Sequence, residues 1–549
     1  MRIIIIGAVA AGTSAAAKAR RNCEDAEIVV YEKDTDISYS SCGMPYYLGG
    51  EVENAAALTP RDPAYFQSKY NVAIRIRHEV TSIDTAARRI TVQNLDTGSV
   101  FIDCYDKLVI ATGAQPSVPP IAGVDLEHVF TLRSMGDMRR IKSFVEGRTP
   151  QRIAIIGTGF VGLEVAENLK GLGIEITLLE RLPQVTPGLD GDMAAHVQAH
   201  LVKSGVAVRT GVSIQAITAD GVRMADGALL PADMVLVSTG VKPNVGLAAA
   251  AGIALGITGA IRVDAHMQTS IPDVYACGDC IEHLHLVTGK PVYRPLGSTA
   301  NKTGRIAGDC ITGGDLAFRG ILGTGIFRVF GMTVAQTGLN EREARAEGFD
   351  PVVCHNIKPD RPTYMRGQDM VIKGVADKAS GKLLGAQIVG FAGVDKRIDV
   401  LATAISFGAK VEDLFHLDLA YAPPFSTTKD PVMYTGMILE NAIHRGRALI
   451  TAGELDTLQA SGQRHTLIDA RVPAQYGKRH VPGAVNIPHD QLRAAAETLD
   501  HDALTITYCN KGTTGNAAQN ILLGKGFTRV WNLSGGENQY AAEHAQMDE

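Results

Sequence analysis

The chain has 549 residues, 45% hydrophobic and 20% charged, with a formal net charge of −5. That length allows roughly three or four domains, and the composition is that of a globular protein. A mildly acidic balance and a single tryptophan, Trp531, exclude a global basic field for nucleic acid or anionic membrane and a stacking platform for single strands.

The N-terminus, MRIIIIGAVAAGTSAAAKARR, breaks its apolar run at Gly7 and puts its basic residues after the run. It therefore reads as a strand and helix and not as a signal peptide. No stretch reaches the ~20 apolar residues that span a bilayer. From Arg2 the pattern is strand, Gly turn, Ala-rich helix and second strand (IVVYEKD), closing on Glu32. This is the mononucleotide-binding βαβ pattern: glycines admit a pyrophosphate, the helix N-terminus favours its charge, and the acid accepts from a ribose hydroxyl. Gly7 and Gly12 are in place, and Val9 stands at the middle glycine position.

SYSSCGMPYYLGG follows, with one cysteine, Cys42, and no second cysteine within a few residues. LVIATGAQP reads as an apolar strand ending in a turn at Thr112–Gly113. A second βαβ copy begins at RIAIIGTGFVGLE. It has all three glycines, Gly157, Gly159 and Gly162, and closes on Glu180. An acid there repels a 2′-phosphate and favours NADH over NADPH, a preference tempered by Arg181. TSIPDVYACGDC reads as a strand ending at Gly278–Asp279. Its Cys277 and Cys280 have redox or zinc-site spacing, but they overlap the Gly-Asp turn and no second pair completes a four-ligand set. No metal site is expected. The eight cysteines are scattered, which is no disulfide framework and suits a reducing cytoplasm.

From about Arg319 the Gly-rich turns stop. Short alternating stretches (MTVAQTGL, MVIKGVAD, KLLGAQIVG) and helical patterns (KRIDVLATAISFG, DPVMYTGMILENAIHRG) predict a separate α+β domain. A new pattern starts near Glu454. TLIDARVPAQYGKRHVPGAVNIP predicts strand, polar helix, turn and strand. LTITYCNKGTTGNAAQNILLGKGF predicts a buried strand that delivers Cys509 into a small loop before a helix. Backbone N–H groups and a helix N-terminus at such a loop favour a thiolate.

SYSSCGMPYY, GTGFVGLE, YACGD, YAPPFSTTKDPV, LIDAR and YCNKGTTG together resemble the single-cysteine branch of the pyridine nucleotide–disulfide oxidoreductases, fused to a rhodanese domain. The fused arrangement is similar to the coenzyme A disulfide reductase–rhodanese fusions, some of which are NADH-dependent persulfide reductases. The resemblance implies an α/β protein with two Rossmann-like domains, for FAD and NADH (or NADPH), then an α+β dimerisation domain and an α/β rhodanese domain. The expected ranges are 1–112 with 246–318 for FAD, 113–245 for NAD(P)H, 319–445 for dimerisation and 454–549 for rhodanese.

It also implies site residues. FAD falls to Gly7, Gly12, Glu32, Thr112, Gly113 and Asp279, with Asp279 on its ribityl chain. NAD(P)H falls to Gly157, Gly159, Gly162 and Glu180. Cys42 is the redox thiol beside the flavin, pairing with sulfur from outside the chain. Tyr421, reaching across a homodimer, and Tyr364 protonate the departing sulfur. Arg20, with Arg21 beside it, and Arg61, Ser38 and Ser41 receive coenzyme A, and Cys509 carries a persulfide. The partners implied are a small persulfide or disulfide and a second copy of the chain. Nucleic acid and membrane are not expected.

Two departures keep alternatives open. Ser41 directly precedes Cys42, as in NADH peroxidases and oxidases, so peroxide reduction through a Cys sulfenic acid is a competing activity. Thr514 stands where thiosulfate-using rhodaneses often carry Arg, which leaves Lys511 as the loop's positive charge and favours persulfides over thiosulfate. A non-enzymatic sulfur carrier or redox sensor is a third reading.

Overall fold

A computed structural model describes residues 1–545. The chain forms two compact units, Met1–Arg181 with Val212–Gly323, and Leu182–Gly211 with Thr324 onward.

The first unit holds both predicted βαβ turns. Strand Arg2–Ile6 lies between the parallel strands Glu27–Tyr31 and Lys107–Ile110, with Ile4 opposite Val29 and Leu108. Val72–Arg75 and Val274–Ala276 complete this five-stranded sheet at its two edges. Ile3, Ile4 and Ile5 are fully buried because both faces of a parallel sheet are covered. One cover is helix Ala10–Asn22, packed on helix Gly297–Cys310. Their approach depends on absent side chains: a Cβ at Gly304 would stand 2.2 Å from the Ala11 carbonyl oxygen.

A similar arrangement recurs around strand Arg152–Ile156, flanked in parallel by Glu175–Leu179 and Met234–Val237 and followed by helix Phe160–Lys170. The chain passes between the two halves of this unit on the antiparallel pair Ala114–Pro116 and Val241–Pro243. Thr112 pins that crossing, with its hydroxyl donating to the Asn244 carbonyl at 2.7 Å and its own carbonyl accepting from the Asn244 amide.

The second unit contains the expected α+β domain. Its five-stranded antiparallel sheet runs Gly325–Val329, Met332–Gly338, Leu383–Gly390, Asp369–Asp377, Pro351–Pro359. Helices Val394–Ser406 and Pro431–His444 pack on it, so Leu383–Gly390 is buried at every position. The C-terminal sheet is parallel, in the order Leu449–Ile450, Val530–Leu533, Leu504–Tyr508, His465–Asp469, Val485–Asn486. Its first strand precedes Glu454. Two residues are too few to show a sequence pattern, and pairing with Val530–Leu533 is what makes them a strand.

A buried ionic cluster ties this unit together. Lys373 is 1% exposed and reaches Asp190 at 3.1 Å, Asp192 at 2.5 Å and Glu341 at 2.8 Å. His355 bridges the Asp192 carboxylate and the Ser534 hydroxyl of the C-terminal domain. These contacts explain why Leu182–Gly211, which follows the second nucleotide turn in sequence, belongs to the second unit. No helix of the described residues is long and apolar enough to cross a membrane.

Candidate functional site

Gly7 has φ +104°, and a Cβ there would meet the Ala111 carbonyl oxygen at 2.3 Å. A Cβ at Gly12 would overlap the Gly7 carbonyl oxygen at 1.8 Å. The bare backbone therefore closes a tight turn at the start of helix Ala10–Asn22, with Val9 as the N-cap. Glu32 accepts from the amides of Ala8 and Asp34, and burial pushes its carboxyl above the ordinary range. Ser38 sits at φ +48°, a left-handed conformation uncommon for a residue with a Cβ, and donates its amide to the Ala8 carbonyl at 2.8 Å. The nucleotide turn thus fixes the start of the cysteine segment.

FAD fits this side of the unit on two observations. The turn leaves room for backbone to approach a pyrophosphate, as the Gly7 and Gly12 geometry requires. Asp279 accepts from Arg133 through Oδ2 at 2.7 Å, while its buried Oδ1 has no hydrogen-bond partner. A buried carboxylate oxygen left unpaired is costly, and a ribityl hydroxyl is a donor of the right kind. Gly113 has φ +66°, in the same turn as Thr112.

The second turn repeats the construction. A Cβ at Gly157 would meet the Ser238 carbonyl oxygen at 2.6 Å, and one at Gly162 the Gly157 carbonyl oxygen at 2.4 Å. Gly159, the N-cap of helix Phe160–Lys170, faces open space instead. Glu180 accepts from the Thr158 amide and hydroxyl at 3.1 and 2.8 Å, which holds its carboxylate at the turn.

Cys42 is exposed, in the single 3₁₀ turn Ser41–Gly43 that leads into helix Met44–Gly49. Ser38, Tyr39 and Ser40, just before it, form one wall of a cleft of about 500 Å³. Helix Ala10–Asn22 supplies another wall through Ala10, Thr13, Ser14, Ala17, Lys18 and Arg21, a stripe at i, i+3 and i+4 spacing. Arg61 and Arg305 add positive charge, and Phe66 and Tyr70 add apolar surface. The Arg21 guanidinium lies over the Tyr70 ring, 5.5 Å from its centroid.

Arg20 requires correction as a coenzyme A ligand. It is 4% exposed and does not line the cleft. Its guanidinium donates to the carbonyls of Tyr70 at 2.7 Å, Asn71 at 2.8 Å, Cys23 at 3.3 Å and Glu24. One residue is a 100° turn of a helix, so Arg20 faces the core where Arg21 faces the cleft. The lining stripe was present in the sequence and separates the two. Lys18 and Arg305 had no motif to mark them. Ser38 and Arg61 are brought into the cleft, whereas Ser41 lies in the cysteine turn itself.

Cys277 and Cys280 are fully buried, and burial raises both thiols, Cys280 to about 11. Cys280 donates to the Cys277 and Ile110 carbonyls. Among the described residues no cluster of His, Cys, Asp or Glu could hold a metal ion.

In the second unit, Tyr364 and Tyr421 are both exposed. The Arg361 guanidinium donates to the Pro424 carbonyl at 3.3 Å and ties their two segments together. Beneath them Arg397 is buried, donating to Asp430, the Ser426 hydroxyl and the Asp360 carbonyl. Tyr364, in the 3₁₀ turn Thr363–Met365, and Tyr421, on irregular backbone, are therefore displayed on segments that a buried cation holds in place.

Cys509 follows strand Leu504–Tyr508 and precedes helix Thr513–Gly524. It is 6% exposed. The loop is braced by the Glu537 and Asn538 amides, which donate to the Cys509 and Asn510 carbonyls. Close packing needs Gly536, where a Cβ would meet the Cys509 carbonyl oxygen at 2.2 Å. Below, Arg471 binds Asp469 and reaches the Asn510 side chain at 2.9 Å.

Three family profiles match the chain. They are pyridine nucleotide-disulphide oxidoreductase over residues 1–295, its dimerisation domain over 326–431, and a rhodanese-like domain over 451–543. A solved structure titled reduced Bacillus anthracis CoADR-RHD superposes with a TM-score of 0.96 at 37% identity, covering 99% of this chain and 98% of that one. A NAD-dependent persulfide reductase from A. fulgidus gives 0.92 at 38% identity, covering 98% and 100%. A CoA-dependent NAD(P)H sulfur oxidoreductase from Pyrococcus furiosus is 35% identical over 80% of this chain and 99% of its own.

Proposed function

Because the chain belongs to the pyridine nucleotide-disulphide oxidoreductase family, we propose that it is an FAD-dependent NAD(P)H oxidoreductase that reduces coenzyme A persulfides, polysulfides or coenzyme A disulfide through Cys42, with a rhodanese domain that handles sulfane sulfur. One observation carries the substrate: the exposed Cys42 adjoins the segment Ser38–Ser40 that walls a cleft lined by Lys18, Arg21, Arg61 and Arg305. Cations for phosphates and apolar surface for a pantetheine arm are what coenzyme A needs.

The Cys42 thiolate attacks the inner sulfur of a persulfide R–S–SH. The S–S bond breaks, hydrosulfide leaves, and a mixed disulfide Cys42–S–S–R remains. Gly7, Gly12 and Asp279 would hold FAD, which would supply two-electron transfer from the nicotinamide hydride to that disulfide. Two electrons and one proton then return Cys42 to the thiolate and release R–SH. With coenzyme A disulfide the same attack releases coenzyme A thiolate instead of hydrosulfide. Tyr421, supplied across a homodimer, and Tyr364 protonate departing sulfur; a phenol donates without itself being charged. The nicotinamide cofactor is NADH, favoured by the acid Glu180 at the second turn.

Cys509 carries sulfane sulfur as a persulfide in its loop. The match to the dimerisation domain and the exposed Tyr421 and Phe425 support the homodimer. Eight free thiols suit a cytoplasmic setting. The test is Cys42→Ser in the holoenzyme. NADH oxidation with coenzyme A persulfide falls to background while the flavin remains bound at wild-type stoichiometry. Full turnover in that variant refutes the mechanism.

A further inference from the structure

The loop from Cys509 to Gly512 has a single cation of its own, Lys511, and that ammonium is paired with Asp369 of the antiparallel sheet. A second cation comes from the same sheet. Lys358 lies near the end of strand Pro351–Pro359 and donates to the Thr513 hydroxyl at 3.1 Å, at the first residue of the helix that follows the loop. Its ammonium also stands 4.3 Å from the centroid of the Tyr434 ring.

Among the described residues no carboxylate lies within ion-pair distance of Lys358. Burial and the neighbouring Lys511 and Lys429 hold its ammonium below the ordinary lysine range, and the Cys509 sulfur and Asp369 act in the opposite sense. The remaining charges below the loop, Arg471, Asp469 and Glu537, are paired with one another. A partly buried cation with no carboxylate is destabilising until an anion compensates it.

We propose that Lys358 is the counter-ion of the Cys509 loop, so that the sulfane-sulfur site of the C-terminal domain is built from two domains and takes anionic persulfides. It rests on the sulfane-sulfur reading of Cys509 and adds a residue outside the rhodanese domain. The position that thiosulfate-using rhodaneses often fill with Arg is Thr514 here, and Lys358 supplies the missing charge from another strand. In the transfer, the Cys509 thiolate attacks the outer sulfur of R–S–SH. The donor S–S bond breaks, a Cys509 Sγ–S bond forms, and R–S⁻ leaves, with no net oxidation. Negative charge is present on the thiolate before the step and on the Cys509 persulfide once its proton is lost, and the Lys358 ammonium, held at the Thr513 hydroxyl, is the cation that the antiparallel sheet brings to the loop.

The test reads Cys509 directly and does not depend on turnover at Cys42. In the full-length holoenzyme, the rate of Cys509 alkylation by iodoacetamide is followed at neutral pH by peptide-resolved mass spectrometry. Lys358→Met slows the reaction roughly tenfold. Lys358→Gln, which keeps a polar side chain and loses the charge, is slowed alike. Lys358→Arg returns the rate toward wild type. A rate unchanged in both neutral variants overturns the proposal. So does a slowing that Lys358→Arg shares, because that is the mark of a packing role. Loss of coenzyme A persulfide reduction in the Cys42 variant, or its absence in wild type, bears on the reductase reading and leaves this result unaffected.

Discussion

Arg20 and Arg21 are adjacent, identical in chemistry and opposite in consequence. Arg20→Met removes a buried guanidinium that satisfies four backbone carbonyls. A hydrogen bond to a charged group is worth about 1.5–3 kcal/mol, and unmade bonds to buried acceptors cost more. The contributions share one cation and do not add, so the expected loss is about 3–5 kcal/mol. Arg21→Met removes an exposed guanidinium whose contacts are the Tyr70 hydroxyl at 3.3 Å and the Tyr70 ring. Its stability cost stays below about 1 kcal/mol. Its functional cost is one charge-assisted phosphate contact, about 10- to 100-fold in kcat/KM for coenzyme A substrates.

The assay pairs denaturant unfolding, followed by flavin fluorescence, with steady-state kinetics on coenzyme A persulfide. Unfolding of Arg21→Met as readily as Arg20→Met refutes these roles. So does a changed KM in Arg20→Met at unchanged stability.

The ionic cluster gives a pH-dependent prediction. Lys373→Met leaves Asp190, Asp192 and Glu341 without their shared cation and costs about 3–5 kcal/mol at neutral pH. The partners hold Asp192 and Glu341 below the ordinary carboxylate range and Lys373 above that of lysine. The depressed carboxylates contribute stability above their unfolded values, lost as pH falls through the folded ones; Lys373 contributes at every pH below its unfolded value. The gap between wild type and variant is therefore widest near neutrality and narrows below about pH 4. Trp531, the sole tryptophan, lies in the C-terminal sheet and reports this transition by fluorescence. A gap that does not change with pH contradicts the assignment. Cys509→Ser abolishes sulfane-sulfur transfer from persulfide donors while coenzyme A disulfide reduction persists, measured on one preparation. Loss of both activities would show that the two thiols do not work separately.

Much of the fold was legible because local rules govern it. Gly7, Gly12, Gly157 and Gly162 sit where a Cβ collides with backbone, so the chemistry of the turns is written in residue type. The buried parallel strands around RIIII and RIAII show as continuous apolar runs. The cleft was half legible. Lys18 and Arg21 share a helical stripe with Ala10 and Ser14, and counting residues from Ala10 separates Arg21 from Arg20.

Residues brought in by tertiary packing left no local trace. Arg305 meets the first helix through a helix nearly 300 positions away. Lys358 reaches Thr513 only because the C-terminal domain packs on the antiparallel sheet. Asp192 follows a nucleotide-binding motif in sequence and yet pairs with Lys373 of that sheet. The unpaired Oδ1 of Asp279 is likewise a property of the folded site, although the Gly-Asp turn that holds it was readable.

The central claim is that Cys42 accepts sulfur from coenzyme A substrates. The most direct measurement is anaerobic NADH oxidation by the purified holoenzyme with coenzyme A persulfide, coenzyme A disulfide and hydrogen peroxide in turn, with sulfide detected in parallel. The expected result is fast turnover with the persulfide and sulfide release equal to NADH consumed. Fast turnover with peroxide alone contradicts it and assigns Cys42 to sulfenic acid chemistry.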